Sequence, residues 1–379
     1  MPFKNNLRNW RRRWFVVVLI TVAGFVYWSR QPAKPVAEKV ASPSKISPPS
    51  ATIVSTNGLM LQAAFTGLQS ATSSQVSRQS LEALRTQFAA LPRAEAVALI
   101  EKFLDGKTDA ATQLGFKVAT NGSLNEAPTF RTFLLDELAR IDPQAAAEYA
   151  KTILAHMDSP DEWAVALRNL ALGDPHDAAR ELVAEKFSQL LAADAWQKNP
   201  SVGYLEAFDV AVFLGDKKFI PPLSGLLAQK ENPAVAHAAY LSLDRMVINN
   251  APQTLAALAD NPELMAGREN TRADYFARAD VRDDSQRTLL ENYLLNPKLG
   301  AAELQQFTGT YPNANFMISP NLLTANSTPD HAALADRDKI SLQVLDEWLA
   351  DPRFAALRPK LEPARQRVQG FVTQAGGHP

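Results

Sequence analysis

From residue 57 onward, apolar residues recur at intervals of three and four. Leu81, Leu84, Phe88 and Leu91 form one stripe; Val97, Ile100 and Leu104 form another; Phe133, Leu134, Leu138 and Ile141 form a third. Alternating apolar and polar positions occur only in short pieces, and β-branched residues do not cluster between turns. The pattern predicts an all-α body with no substantial strand.

The stripes are punctuated regularly. Asp142-Pro143, Asp174-Pro175, Asn199-Pro200, Asn232-Pro233, Asn261-Pro262, Asn296-Pro297 and Asp351-Pro352 share one form. An Asp or Asn side chain can accept the first free N–H groups of a helix. A proline directly after it occupies the first helical position, where its missing N–H costs nothing. Pro143 to Pro175 is 32 residues, Pro200 to Pro233 is 33, Pro233 to Pro262 is 29 and Pro262 to Pro297 is 35. Two short helices and their turns occupy about that much chain, which predicts stacked helical hairpins.

The stretch 163–248 sharpens this. Leu214-Gly215-Asp216 reads as a helix end, with Gly215 free to take left-handed dihedrals and Asp216 free to cap the next helix. Ile220-Pro221-Pro222-Leu223 starts a helix whose buried face is Leu223, Leu226 and Leu227. After Asn232-Pro233, Val235, Ala239 and Leu243 align, with Ala236 and Tyr240 beside them. Leu172-Gly173-Asp174 repeats the hinge upstream. This arrangement resembles the HEAT-like repeat family, in which a leucine–glycine–aspartate end precedes an apolar–proline–x–leucine start and a valine–arginine–x–alanine–alanine helix. Val235-Ala236-His237-Ala238-Ala239 stands in the last place, with Ala236 where the family has arginine. The resemblance implies an α-solenoid with a groove and says nothing about catalysis.

Helical repeats are therefore expected over 57–306. Beyond them "FTGTYPNANFMISPNLLTANSTPDHAALADRD" shows few helical stripes and many Asn, Pro, Ser and Thr. Phe307, Tyr311, Phe316, Met317, Leu322 and Leu323 are too apolar for plain disorder. Residues 307–339 are read as an irregular excursion, packed on the repeats or binding a partner. Residues 340–379 then return to helix, with Leu342, Leu345 and Leu349 on one face. The last helix carries Arg353, Arg358, Lys360, Arg365 and Arg367, read as a solvated cap on the final repeat.

The N-terminus has a different pattern. Residues 1–30 combine Arg11, Arg12 and Arg13 with an uncharged run from Trp14 to Trp28. Trp14, Phe15, Val16, Val17, Val18, Leu19 and Ile20 open this run, and Tyr27 and Trp28 close it. As a helix it would reach roughly 22 Å at ~1.5 Å per residue. Aromatic ends and the arginine stems extend that reach toward a bilayer's apolar core. The positive flank places the N-terminus in the cytoplasm, so the segment is read as a single-pass anchor in a bacterial inner membrane with the rest periplasmic. A cleaved signal peptide is the rival reading, disfavoured by bulky Phe25, Tyr27 and Trp28. Residues 31–56 hold Pro32, Pro35, Pro43, Pro48 and Pro49 and read as a semi-extended linker.

Charge and chemistry narrow the function. Residues 1–56 carry nine basic side chains and one acidic, leaving 30 basic and 39 acidic in 57–379. That acidic body argues against a nucleic-acid partner. With no cysteine, thiol catalysis and disulfides are excluded. His156, His176, His237, His331 and His378 have no metal-binding spacing, and no metal or cofactor is expected. Asp280, Asp283 and Asp284 read as a solvated helix start. "NGLMLQ", Asn57 to Gln62, is similar to a segment of lytic transglycosylases, interrupted by Leu61 and with no upstream catalytic glutamate. "TRADYFARAD" places Arg272, Asp274, Tyr275 and Phe276 in an order unlike the arginine–x–x–phenylalanine–aspartate–tyrosine motif of lipase-specific foldases. That family is similar in having an anchor, a Pro/Ala-rich tether and a helical body.

The expected function is a non-catalytic, membrane-anchored scaffold binding another envelope protein or an extended peptide. The alternatives are a periplasmic steric chaperone for a secreted client and, behind it, a peptidoglycan-acting enzyme. Tyr204, Phe208, His237 and Tyr240 are the expected contact residues on the groove of the central repeats, against the plainer reading of the aromatics as core.

Overall fold

The computed structural model describes residues 56–326 and 330–376, and these residues are overwhelmingly helical. The anchor residues Trp14, Phe15, Val16, Val17, Val18, Leu19, Ile20, Tyr27 and Trp28, and the linker up to residue 55, lie outside them. Among the described residues no helix is long and apolar enough to cross a membrane.

Helices pack mainly on those next to them, or next but one, in chain order. Pro143–Ile153 lies against Pro160–Gly173, and Ile220–Ala228 lies against Pro233–Asn249. Glu269–Phe276 packs on Ala301–Thr310, and His331–Ala350 on Arg358–Gly376. Asp177–Leu191 links the first pair to Asp209–Leu214, which itself meets Pro233–Asn249. Each helix buries a stripe against the next, so a continuous apolar core runs from Leu61 to Val368. The stripes read from the sequence are in it: Leu81, Leu84, Phe88, Ile100, Leu104, Phe133, Leu134 and Leu138 are buried.

Two helices are enclosed almost all round. Every residue from Phe130 to Leu138 is buried, and so is every residue from Glu162 to Leu170. A helix buried on all sides cannot leave its charges in water. Arg131 accordingly makes a two-pronged pair with Glu162, with N–O distances of 2.8 and 3.1 Å, and donates to the Leu104 carbonyl. Arg168 donates to Asp136 at 2.6 Å. Arg85 reaches Glu137 at 2.7 Å. Gly173 ends the second enclosed helix where a Cβ would lie 2.0 Å from the Pro143 carbonyl oxygen, so only glycine lets the two helices close up there.

The Asx-Pro punctuation acts in several ways. Asp142 accepts from the amides of Gln144 and Ala145, and Asn232 from those of Ala234 and Val235, each capping the α-helix that starts at the proline. Asn261 and Asp351 instead begin 3₁₀ turns. Asp174 and Asn296 each close a local turn, accepting from the His176 and Lys298 amides. Ser201, not Asn199, caps the next helix. Asn232 also donates to the Gln197 carbonyl at 2.7 Å, tying this cap to the preceding turn. Asn232→Ala is expected to cost about 1–2 kcal/mol in urea unfolding, from the lost cap and that lost bond.

Three expectations need correction. A small antiparallel hairpin, Lys117–Val118 with Leu124–Glu126, interrupts the helices where the pattern predicts no strand. Its two short strands bury only Val118 and Leu124, too little to show as alternation. The excursion expected at 307–339 is shorter, because Ala301–Thr310 is helical and a helix resumes at His331. Asp330 caps that helix through the Ala333 amide, and its first turns are too polar to show a stripe. The final helix is not a purely solvated cap, since Arg367 donates to the Thr308 carbonyl at 2.7 Å and to the Tyr311 carbonyl.

Candidate functional site

The excursion, described over 311–326, lies along one face of the helices as an irregular strap. Acid–arginine pairs that join segments more than thirty residues apart mark this face. Asp136 pairs with Arg168, Asp209 with Arg245 and Asp244 with Arg278, at separations of 32, 36 and 34 residues. The separations are close to the 29–35 residues between Asx-Pro marks, so each pair joins segments about one such interval apart, across an intervening helix.

These pairs also hold the strap. At its start the Asn313 amide donates to the Ala277 carbonyl at 2.8 Å. Arg337 donates to the Asn313 carbonyl at 3.1 Å and to the Arg278 carbonyl at 2.9 Å. Arg278, fixed by both oxygens of Asp244, donates to the Asn315 carbonyl. Further on, Asp209 Oδ2 accepts from two successive amides, Leu323 at 2.7 Å and Thr324 at 2.9 Å. Asp209 Oδ1 accepts from Arg245 at 2.8 Å and from the Thr324 hydroxyl. Leu322 is buried, and its carbonyl rests on Gly122, where a Cβ would lie 2.5 Å away. Arg168 donates to the Gly122 carbonyl at 2.8 Å, so the first pair supports the strap's far end indirectly. The strap therefore runs from the later repeats back toward the earlier ones. It is held largely through its main chain.

Burial sets the electrostatics of this face. It raises the Asp244 pKa above the usual carboxylate range against the opposing pull of Arg278, and it raises that of Asp274. Burial lowers the Arg337 pKa. Glu206, one turn before Asp209, makes no hydrogen bond or ion pair among the described residues. Its burial, with the Asp209 charge adding and Arg245 opposing, pushes its pKa up to about 7.

The four expected contact residues separate into pairs. Tyr204 and Phe208 are fully buried, with ring centroids 5.4 Å apart edge to face. They cannot serve as exposed contacts: Tyr204 sits on the short helix Val202–Glu206, wedged against Pro160–Gly173 and Pro233–Asn249, and Phe208 heads Asp209–Leu214, which packs on Asp177–Leu191 and Pro233–Asn249. His237 is exposed and Tyr240 half-buried. The two rings stack with centroids 6.2 Å apart, and Tyr240 stacks in turn on Tyr275 at 5.9 Å. His237, Tyr240 and Asp244 come one after another at helical spacing, so the two rings continue the stripe that ends at the strap-holding Asp244–Arg278 pair. Surrounding protein lowers the His237 pKa, favouring the neutral imidazole, and burial pushes Tyr240 up to about 12. Both are hydrogen-bonding and stacking groups at neutral pH, not charges.

The strap-holding residues Asp209, Asp244, Arg245, Arg278 and Arg337 carry no signal in the sequence. Their partners lie a whole repeat away or in the strap, so no local pattern marks them. Of the residues compared with the foldase motif, Tyr275 and Phe276 are fully buried, with the Tyr275 hydroxyl donating to the Tyr240 carbonyl, and Arg272 and Asp274 are half-buried.

Surface clefts offer little free acid chemistry. One, of about 540 Å³, is lined by Gly267, Arg268, Glu269, Thr271 and Glu303 among others. Glu303 is held there by Arg272 at 2.7 Å and by the Tyr293 hydroxyl at 2.9 Å. In the second, Glu126 pairs with Arg78 and Glu82 with Arg85. Among the described residues, no three His, Cys, Asp or Glu side chains converge as a metal ion would require. No protein-family model, no curated protein and no solved structure matches this chain.

Proposed function

We propose that this protein is a non-catalytic scaffold of HEAT-like helical repeats. Its N-terminal segment would hold it at a bacterial inner membrane, with the repeat body in the periplasm, where it binds another envelope protein or an extended peptide. One observation carries this reading. The repeat face already grips an irregular, uncharged segment of its own chain, fastening two consecutive amides with Asp209 and carbonyls with Arg278 and Arg337. A face that reads main-chain groups is suited to peptide recognition, because those groups are present in any sequence. His237 and Tyr240 extend the same stripe beyond the strap and offer stacking surface for a partner's side chains.

The test is co-purification from intact envelopes after cross-linking. A single stoichiometric partner is expected with the full chain. His237→Ala combined with Tyr240→Ala should reduce its recovery roughly tenfold or more, as loss of a stacked aromatic anchor does. Thermal melting of the double variant should show the fold intact. Undiminished recovery with normal folding removes these residues from the site. Peptidoglycan cleavage by residues 57–379 would replace the scaffold reading with an enzymatic one.

A further inference from the structure

The strap does more than lie on the repeats. Between its two fastened ends it presents Phe316, Met317 and Ile318, which are 41%, 40% and 66% exposed. Other exposed large apolar side chains among the described residues are isolated from one another in sequence: Leu59, Val76, Met157, Leu172 and Ile248. These three are consecutive, within a stretch carrying no charged residue from Leu304 to Pro329. Isolated apolar residues are ordinary on a protein surface, whereas a contiguous group calls for a partner.

Their main chain is equally unpartnered. No N–H or C=O of Phe316, Met317 or Ile318 makes a hydrogen bond among the described residues. The chain runs without turn or bend from Asn313 to Pro320. On one side it is fixed by Ala277, Arg337 and Arg278 acting on Asn313 and Asn315. On the other, Ser319 donates to Asn321 at 3.2 Å, Asn326 donates to the Ser319 carbonyl, and Asp209 holds Leu323 and Thr324. Tethering both ends reduces the ordering entropy that a free peptide would lose on binding.

We propose that Phe316–Met317–Ile318 is a preformed docking element that adds as a strand to the open β-sheet edge of a partner protein. Three arguments select that occupant. Lipid is disfavoured because each unpaired main-chain group carried into hydrocarbon costs several kcal/mol. A helix-in-groove mode is disfavoured because Pro320 biases Ser319 away from helical dihedrals. A second copy is disfavoured because the sheet among the described residues is only the short hairpin Lys117–Val118 with Leu124–Glu126, too short an edge to pair an added strand. Strand addition needs only a few residues, since main-chain hydrogen bonds supply affinity and alternate side chains supply specificity. In an extended segment Phe316 and Ile318 share one face and Met317 takes the other. Phe316, Met317 and Ile318 make no hydrogen bond or ring contact with His237 or Tyr240 among the described residues, and their docking does not depend on that pair.

The test places a benzophenone-bearing amino acid at position 318 of the full chain and irradiates intact producing cells. The expected product joins position 318 to consecutive residues of an edge strand in one partner. Met317→Pro, which removes one N–H, should lower the yield roughly tenfold, the upper range for a lost main-chain hydrogen bond. Met317→Ala, which keeps that N–H, should lower it less than about threefold. Both variants should keep the parent melting temperature, because Met317 lies outside the buried core and its main chain makes no hydrogen bond among the described residues. His237→Ala with Tyr240→Ala should leave the product unchanged. Cross-links to lipid only, to a second copy or to a helical surface would overturn the proposal. So would equal yields from the two Met317 variants.

Discussion

Asp209→Ala is expected to destabilise the fold by about 3–5 kcal/mol, the range for removing one partner of a buried ion pair. Asp209 is 5% exposed, and its carboxylate accepts four hydrogen bonds, from Arg245, the Thr324 hydroxyl and the Leu323 and Thr324 amides. Alanine leaves the Arg245 charge without its counter-ion and two main-chain donors without an acceptor. Either defect alone costs more than the net worth of the bond it breaks. The second effect is local: the Leu323 and Thr324 amides should lose hydrogen-exchange protection well before the helices do. The urea midpoint reads the first effect and exchange mass spectrometry the second. Replacing Asp209 and Arg245 together by apolar residues should cost less than the sum of the single changes, because no buried charge is then stranded. A loss below about 1 kcal/mol with unchanged exchange would mean that packing of Leu322 on Gly122 holds the strap, and that the carboxylate does not.

This dependence on long-range pairing explains what could be read in the sequence and what could not. Helices declare themselves locally. The stripe Leu81, Leu84, Phe88 needs only its own spacing, and Asn232-Pro233 needs only the next two amides. The same dipeptide at Asn199 or Asn296 closes a single turn, because whether a helix continues is settled by what packs on it. Charges mislead for the same reason. Arg131, Asp136 and Glu137 look like the wet side of an amphipathic helix, yet all three are buried against partners from about thirty to fifty residues away. Tyr204 and Phe208 read as groove residues and lie inside, because the two short helices they belong to or begin are packed between longer ones. The strap is legible as an ordered excursion from its apolar content. Its fastening is not, since the acids and arginines that hold it sit on other elements.

Glu206→Gln is the complementary case, in which removing a charge should stabilise the protein. Glu206 has no hydrogen-bond partner among the described residues and lies near Asp209, and burial followed by that neighbouring charge raises its pKa from an ordinary 4.5 to about 7. In the unfolded chain the group titrates near its ordinary value. Between the two values the folded protein holds a proton that the unfolded chain has lost. The stabilising contribution is thus full below about pH 4.5, declines as pH rises through about 7 and is gone above it. At ~1.4 kcal/mol per pKa unit, and allowing for partial solvent access, the swing amounts to about 2–3 kcal/mol. Glutamine is neutral at every pH and lacks this swing. The variant should therefore exceed the parent in stability by about 2–3 kcal/mol more at pH 8 than at pH 4.5, with the difference closing as pH falls. Urea unfolding of both proteins across that range measures it directly. Parallel pH profiles would show that water or the Arg245 charge keeps Glu206 ionised in the folded state, and the electrostatic picture of the strap-holding face would then have to be redrawn around a solvated carboxylate.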